Sequence, residues 1–595
     1  KLPAEQILFQ EMQTVRGYMS STEPVLHFGL DSLSQVEEIL VIWSDGKENR
    51  LENVSVNQLV SISYSQATQG NSNLAILDLG GSKQFFNEVS SSLGVELIHE
   101  EADKIDYNIQ RTLPHKLSQF GPALAVGDLN GDGLEDLVVG SSSGFSPLGF
   151  IQQQNGGFLK KELLPGENSI FEETGILLVD LDNDDDLDIY LVSGSAEFAP
   201  NSAEYRDRVY LNDGKGNFNL DLNFVASPAN GSVVRGADFD GDGWIDLFVG
   251  GRAPVAQYPL PEKSFLYHNQ NGQLVDKTAE LIPELSGLGM ITDAVWTDAN
   301  QDGKIDLVVV GELMPITLFL NEGGIFKKAS NTGLENYLGW WNSIATADFD
   351  QDGDSDWVIG NLGANNVHQP SSDRPLKIYA KDFDNNGSID PVTFAFYKDK
   401  IGGGYQSFPS HFWDDLIGQS PMFRRKFDRY KYFANSTEQS FFSEDERKDA
   451  LVLTGNFDRS VWVENLGNGK FQVHELPILA QLAPVNGLVT EDVNQDGFSD
   501  IVLVGNDYGN EIFIGRLDAS VGLVLLGNGQ GQFETVEARK SGFLVPGDAK
   551  ALVKLFPAQG APILFASQNR GKLLALQSNS SEIKSLLPPK DAMAL

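Results

Sequence analysis

Asp128-Leu-Asn130-Gly-Asp132-Gly-Leu-Glu-Asp136 is a nine-residue phrase that this chain writes, with small changes, seven times. Counting the first Asp as offset 1, the side chains at offsets 1, 3, 5 and 9 are Asp or Asn in every copy. The sets are Asp128, Asn130, Asp132 and Asp136; Asp180, Asp182, Asp184 and Asp188; Asp238, Asp240, Asp242 and Asp246; Asp298, Asn300, Asp302 and Asp306; Asp348, Asp350, Asp352 and Asp356; Asp382, Asp384, Asn386 and Asp390; and Asp492, Asn494, Asp496 and Asp500. Oxygen ligands at alternating positions suit a hard cation of variable geometry, and calcium is the natural occupant. Offset 6 lets the loop turn and is Gly in every copy except the second, where it is Asp185. The expected cofactor is therefore calcium, at up to about seven ions. The Asp382 copy is the weakest by sequence, with Asn386 at offset 5.

An EF-hand is the obvious rival. It needs a Glu at offset 12 and a helix beyond it. Here offset 12 is Val139, Leu191, Val249, Val309, Ile359, Thr393 or Leu503, all residues suited to strands, so the rival fails.

The flanks point to an all-β fold. Short apolar runs precede and follow the loops, such as Leu124-Ala-Val126 and Leu137-Val-Val-Gly140, and they read as buried strands. Downstream come hairpin signals such as Asn212-Asp-Gly-Lys-Gly-Asn-Phe218, Asn321-Glu-Gly-Gly-Ile-Phe326 and Asn465-Leu-Gly-Asn-Gly-Lys-Phe471. Two strands joined by an acidic loop, followed by a hairpin, make a four-stranded blade. Successive loops start 52, 58, 60, 50, 34 and 110 residues apart, and a unit of that length fits a β-propeller. The expectation is seven or eight four-stranded blades, with eight favoured and residues 549–578 a degenerate blade without ligands. The segment Gln84-Phe-Phe-Asn-Glu-Val89 is expected to complete the last blade. Residues 118–595 form the propeller and 76–117 a linker with the ring-closing strand.

Two regions break the repeat. Residues 1–75 read as a small β module, with strands at 36–43 and 59–64 and a turn at Ser44-Asp-Gly-Lys47. Residues 400–447 read as a helical insertion, rich in aromatics and locally basic (Phe423-Arg-Arg-Lys-Phe-Asp-Arg-Tyr-Lys-Tyr432). This insertion either caps the propeller or presents a binding surface, and the segment 252–267 is a second candidate contact.

The repeats resemble the FG-GAP/VCBS family, whose best-known members form the integrin alpha-subunit propeller. Phe120-Gly-Pro-Ala-Leu-Ala-Val-Gly-Asp128 is close to the motif that names it. Arg16-Gly-Tyr-Met-Ser-Ser-Thr-Glu-Pro-Val-Leu-His-Phe-Gly-Leu30, followed by Trp43-Ser-Asp-Gly-Lys47, resembles the ASPIC/UnbV module, also seen in cartilage acidic protein. The module-first order is similar to large exported proteins of Bacteroidetes-type bacteria. The resemblance implies extracellular binding or adhesion and assigns no reaction.

Composition narrows the partners. The chain has 595 residues and a net charge of −40, and 24 of its 83 acidic residues are ladder ligands. Such an acidic surface argues against nucleic acid or anionic lipid. No stretch approaches the roughly 20 apolar residues of a membrane span. The chain starts at Lys1 rather than Met, so a processed form or fragment of an exported protein is expected. There is no cysteine.

Catalytic constellations are scarce: the seven histidines (His27, His99, His115, His268, His368, His411, His474) form no HExxH, and no Gly-x-Ser-x-Gly or phosphate loop occurs, while among 83 acids a carboxylate pair for glycoside chemistry stays open. His27 and the Trp340-Trp341 pair read as structural. The preferred function is a calcium-stabilised scaffold at the cell surface that binds a surface protein or glycan. A polysaccharide-degrading enzyme and a structural subunit of an outer-membrane assembly stay open as alternatives.

Overall fold

The computed structural model describes residues 2, 7–13, 20–21, 23–43, 47–69, 84–164, 170–399 and 402–579. The chain divides into two compact units, Lys1–Lys83 and Gln84–Leu595.

In the first unit, Gln35–Ile42 pairs antiparallel with Lys47–Ser55, Leu40 lying opposite Arg50, and Thr68–Gln69 adds a short third strand. The strand expected at 59–64 is not one: only a 3-10 turn, Tyr64–Gln66, begins there. The polar run Lys47–Ser55 pairs instead, because a small sheet needs only a few inward apolar residues and ties its polar ones across strands, as Arg50 does with Glu38. Most of the turn at 44–47, and positions 16–19 of the motif noted above, lie outside the described residues. The His27 side chain is exposed.

The second unit is a ring of seven blades. Each is built on four antiparallel strands, and blade 4 carries a fifth, Leu338–Trp340, paired with its second strand. Blade 1 runs Leu124–Gly127, Asp136–Val139, Leu148–Gln152 and Phe158–Glu162. Blades 2, 3, 4 and 6 repeat the pattern from inner strands Glu173–Val179, Gly231–Ala237, Met290–Thr297 and Val485–Glu491. Blade 5 starts at Ser343–Ala347 and blade 7 at Ala549–Leu555. Consecutive inner strands pack side by side around the ring, and that of blade 7 packs against that of blade 1, so the ring closes. Blade 7 takes its outer strand from the other end of the chain: Phe86–Glu88 pairs with Leu574–Ser578.

The second strand of each ladder-bearing blade follows its acidic loop and is enclosed on both sides. Asp188–Ser193 and Asp500–Gly505 are buried at every position. That explains continuous runs such as Ile501-Val-Leu-Val504 in place of polar–apolar alternation. Between blades the core is aromatic and aliphatic. Phe239, Phe248, Trp296, Phe319 and Phe326, for example, fill the junction of blades 3 and 4.

The remaining four-stranded sheet of this unit is not a blade. The chain leaves blade 5 after Asp356–Gly360 and returns at Val461–Asn465, and those two strands are paired neighbours. Between them it builds a separate sheet, ordered Tyr405–Pro409, Asp390–Lys398, Leu376–Lys381 and Leu451–Gly455. The favoured count of eight is thus corrected to seven, and the insertion begins well before residue 400. The Asp382 ladder belongs to this inserted sheet. Five short helices between Trp413 and Arg447 pack Leu416, Phe423, Phe427, Phe433, Phe441 and Phe442 against Val392 and Phe394 of the sheet.

Candidate functional site: acidic loops and the central channel

Each ladder is held by its own backbone. In the first, Asp128 Oδ1 accepts from Gly131 N at 2.8 Å and Oδ2 from Gly133 N at 2.7 Å. Asp238 and Asp492 repeat the contact to the offset-6 amide at 2.9 Å. That amide turns inward because offset 6 adopts a left-handed backbone, with φ +82° at Gly133 and +93° at Gly353. Asp185 does so at +69° despite its side chain. Offset 4 is left-handed too, at Gln301, Gln351 and Gln495 among others, a requirement not apparent from sequence.

The offset-9 aspartate joins the loop to the blade. In most ladders one oxygen accepts from the amide of offset 2 and the other from the end of the third strand; Asp246 keeps only the latter, from Asn269 N at 2.8 Å. Asp306 does this with Ala299 N at 3.1 Å and Asn321 N at 2.7 Å, and Asp356 with Phe349 N at 3.0 Å and Asn465 N at 2.8 Å. Asp390 takes its second donor from the helices instead, as Gln419 Nε2 at 2.9 Å. Burial pushes these carboxyls up, to about 6 at Asp136 and Asp390, about 7 at Asp188, Asp306 and Asp500, and about 8 at Asp246 and Asp356, and neighbouring ladder aspartates add to the rise.

Convergence is tight. Carboxylate oxygens of Asp180, Asp182 and Asp188 lie within 4.8 Å of one another, as do those of Asp238, Asp240 and Asp246, and of Asp348, Asp350 and Asp356. At the inserted sheet, Asp384 Oδ2 accepts from Ser420 Oγ at 2.8 Å, while Oδ1 is buried without any hydrogen-bond partner. Crowded carboxylates, all-oxygen donors and an orphaned buried oxygen fit a hard divalent cation.

Two features escaped the sequence reading. His268 stands over the third ladder, its Nε2 3.1 Å from Asp240 Oδ2. The asparagines that open the hairpins also latch blade to blade: Asn269 Nδ2 donates to Leu181 O and Asn321 Nδ2 to Phe239 O, both at 2.8 Å, and Asn465 Nδ2 to Ala299 O at 3.1 Å. Each accepting carbonyl belongs to offset 2 of the preceding blade's loop. The recurrence of Asn at that position was the available signal.

The ring encloses a channel of about 290 Å³. A strap, residues 98–119, crosses one mouth: His99 N donates to Gly571 O of blade 7, Tyr107 OH to Gly509 O in a loop of blade 6, and Gln110 Nε2 to Tyr258 O in a loop of blade 3. Beneath it, buried Glu312 accepts from Arg252 Nε at 2.9 Å and sits 3.2 Å from His115 Nε2. Burial alone would raise the Glu312 carboxyl, but the two cations hold it down at about 2. Arg252 and the fully buried Tyr258 are thus committed inward, and the segment 252–267 is not the open contact surface expected. Trp341 is core, as expected, and Trp340 borders the channel.

His368 Nδ1 lies 3.4 Å from Ser410 Oγ, but burial lowers its pKa to about 4, too weak a base to activate a hydroxyl. Among the described residues no helix is long and apolar enough to cross a membrane.

A closed seven-bladed β-propeller carrying repeated acidic loops defines the class of protein. Residues 180–249 and 298–359 match the FG-GAP-like repeat, 120–158 the FG-GAP repeat, and 2–69 the ASPIC and UnbV family. The chain is an FG-GAP repeat protein with an N-terminal UnbV module. Solved structures similar to it include the V. cholerae biofilm matrix protein Bap1 (14% identity over 82% of this chain and 91% of that one, TM-score 0.31). Others are BBS1N in complex with ARL6DN (10%, 79% and 96%, TM-score 0.36) and an Agrocybe aegerita lectin described as recognising non-reducing terminal N-acetylglucosamine (16%, 72% and 82%, TM-score 0.27).

Proposed function

We propose that this protein is an exported, calcium-stabilised propeller that serves as a binding scaffold for a surface protein or glycan. Seven acidic ladders without an EF-hand partner suit the calcium concentrations outside cells, where such modules bind at roughly 10⁻⁴–10⁻³ M. The observation that carries the binding reading is the outer surface of the insertion. Tyr430 and Tyr432 are 51% and 55% exposed, beside exposed Arg424, Arg425, Arg429 and Lys431, on a chain of net charge −40. Exposed aromatics with cations suit stacking on sugar rings or pairing with an acidic partner. Phe423, Phe427, Phe433, Phe441 and Phe442 of the insertion are core, whereas Tyr405 and Phe412 are exposed as well.

The test is retention of the calcium-loaded protein on a panel of immobilised neutral and anionic polysaccharides. Retention that falls at least tenfold in a Tyr430→Ala, Tyr432→Ala, Arg429→Ala variant supports the reading. Equal retention by the variant, or none by either protein, overturns the glycan form. Stoichiometric co-purification of a surface protein that survives the substitutions would favour a structural subunit instead.

A further inference from the structure

We propose that Glu101, Glu172 and Glu197 form a further calcium site, on the face of the ring opposite the ladders, which ties the strap to blade 2.

The position follows from the topology. Glu172 immediately precedes the inner strand Glu173–Val179, whose far end runs into the Asp180 ladder. Glu197 follows Ser193, the end of the strand that returns from that ladder. Both therefore sit a full strand away from the repeat loops, roughly 20 Å at about 3.3 Å per residue. Glu101 comes from the strap. The site does not depend on any ladder residue.

Oxygens of the three carboxylates lie within 4.8 Å of one another. Calcium binds oxygen at about 2.3–2.6 Å, so ligands on opposite sides of one ion stand about 4.6–5.2 Å apart, and all three can reach a single ion. Glu172 is 2% exposed, and neither of its carboxylate oxygens has a hydrogen-bond partner. Glu101 Oε1 and Glu197 Oε1 are buried without partners as well. A buried carboxylate with no donor is costly and is kept in folded proteins where something else satisfies it.

The neighbours sharpen the contrast. Glu173, next in sequence, pairs with Arg208 at 2.5 Å and accepts from Ser141 N at 2.9 Å. Asp106 accepts from Leu117 N, Ser118 N and Ser118 Oγ. Lys104 Nζ, the nearest strap ammonium, donates to the Glu197 backbone carbonyl at 3.2 Å. Asn569 Nδ2 donates to Glu101 Oε2 at 3.0 Å and Ala196 N to Glu197 Oε2 at 3.2 Å, but no donor reaches either oxygen of Glu172, which faces two more acids. With oxygen donors only, the site selects a hard ion over a transition metal.

The test uses the full chain, stripped of metal on a chelating resin, with calcium alone as the probe at pH 8. Bound calcium is counted by equilibrium dialysis, and hydrogen exchange is followed in peptides covering 98–119. Wild type is compared with Glu172→Gln and with the ladder variant Asp348→Ala. The expected result is that Glu172→Gln binds one calcium fewer than wild type and loses the calcium-induced slowing of exchange in the strap, whereas Asp348→Ala keeps that slowing. If the ladders bind nothing, wild type still takes up one ion that Glu172→Gln does not; the proposal then stands while the ladder reading falls. Calcium uptake and strap exchange identical in wild type and Glu172→Gln would overturn it, the three carboxyls then sharing protons instead. Should Glu172→Gln fail to fold by circular dichroism, Glu197→Gln is read by the same two measurements.

Discussion

Asn321 of blade 4 donates from Nδ2 to the carbonyl of Phe239, in the acidic loop of blade 3, at 2.8 Å. The same side chain reaches Ile305 O at 3.1 Å, and its Oδ1 accepts from Gly324 N at 2.7 Å. One buried amide thus bonds to its own hairpin, its own loop and the neighbouring loop. Asn321→Ala should cost on the order of 2–3 kcal/mol, since it strands buried backbone groups. The urea midpoint, at unchanged slope, measures it. Asn212→Ala, at a more exposed equivalent position, should cost less.

Calcium should dominate thermal stability. Ions that bind only the folded chain stabilise it by mass action, and several sites add. The melting temperature in millimolar calcium should exceed that of metal-stripped protein by well over ten degrees. A change of under two degrees would rule out structural ladders.

The metal-stripped protein should show an unusual pH dependence. The offset-9 carboxyls titrate at about 7–8 in the folded chain at Asp188, Asp246, Asp306, Asp356 and Asp500. In the unfolded chain an Asp titrates near about 3.9. Between those values the folded state holds more protons, so stability rises as pH falls from about 8.5 toward 6. Calcium competes with those protons, so its stabilising increment should shrink over the same range. Melts of resin-stripped protein at several pH values test both signs.

Glu312 lies between Arg252 and His115 with no exposure. Glu312→Gln leaves a buried guanidinium without its counter-charge and should cost about 3–5 kcal/mol. Adding Arg252→Met should recover a large part of that loss. A double variant no better than the single would show that the pair is not coupled in this way.

The insertion should be removable. Asn361 N donates to Ser460 Oγ at 3.0 Å, so the chain leaves blade 5 and returns at adjacent points. Replacing residues 362–459 by a short Gly-Ser turn should preserve the β spectrum and lower calcium uptake by one ion, that of the Asp382 ladder. The ring will be weaker, because Leu376 and Ile378 pack beside Trp340 and Met290. Loss of the β spectrum would mean that the insertion is needed for closure.

The ladders were legible because their chemistry is local: alternating oxygens and a left-handed turn are written within nine residues. Blade number was harder to read. Asp382-Phe-Asp384-Asn-Asn386 is the same phrase as the others, yet it nucleates a sheet beside the ring, and only its odd spacing, 34 residues before it and 110 after it, carried the difference. The latching role of Asn269, Asn321 and Asn465 was hidden because Asn opening a hairpin already has a sufficient local reason. Glu101, Glu172 and Glu197 have no local pattern; the first strand pair of blade 2 and the strap bring them together.

Phe86–Glu88 is translated before any blade and seated beside Leu574–Ser578, which is translated after nearly all of them. The ring therefore has no finished intermediate. However many blades have formed, Phe86–Glu88 waits for its partner until residues 574–578 have been made, so a chain that stops before Ala549 is an open arc with its channel wall exposed. If the chain is exported unfolded, as the proposed function holds, that late closure is an advantage: it stays threadable until residues 574–578 have arrived.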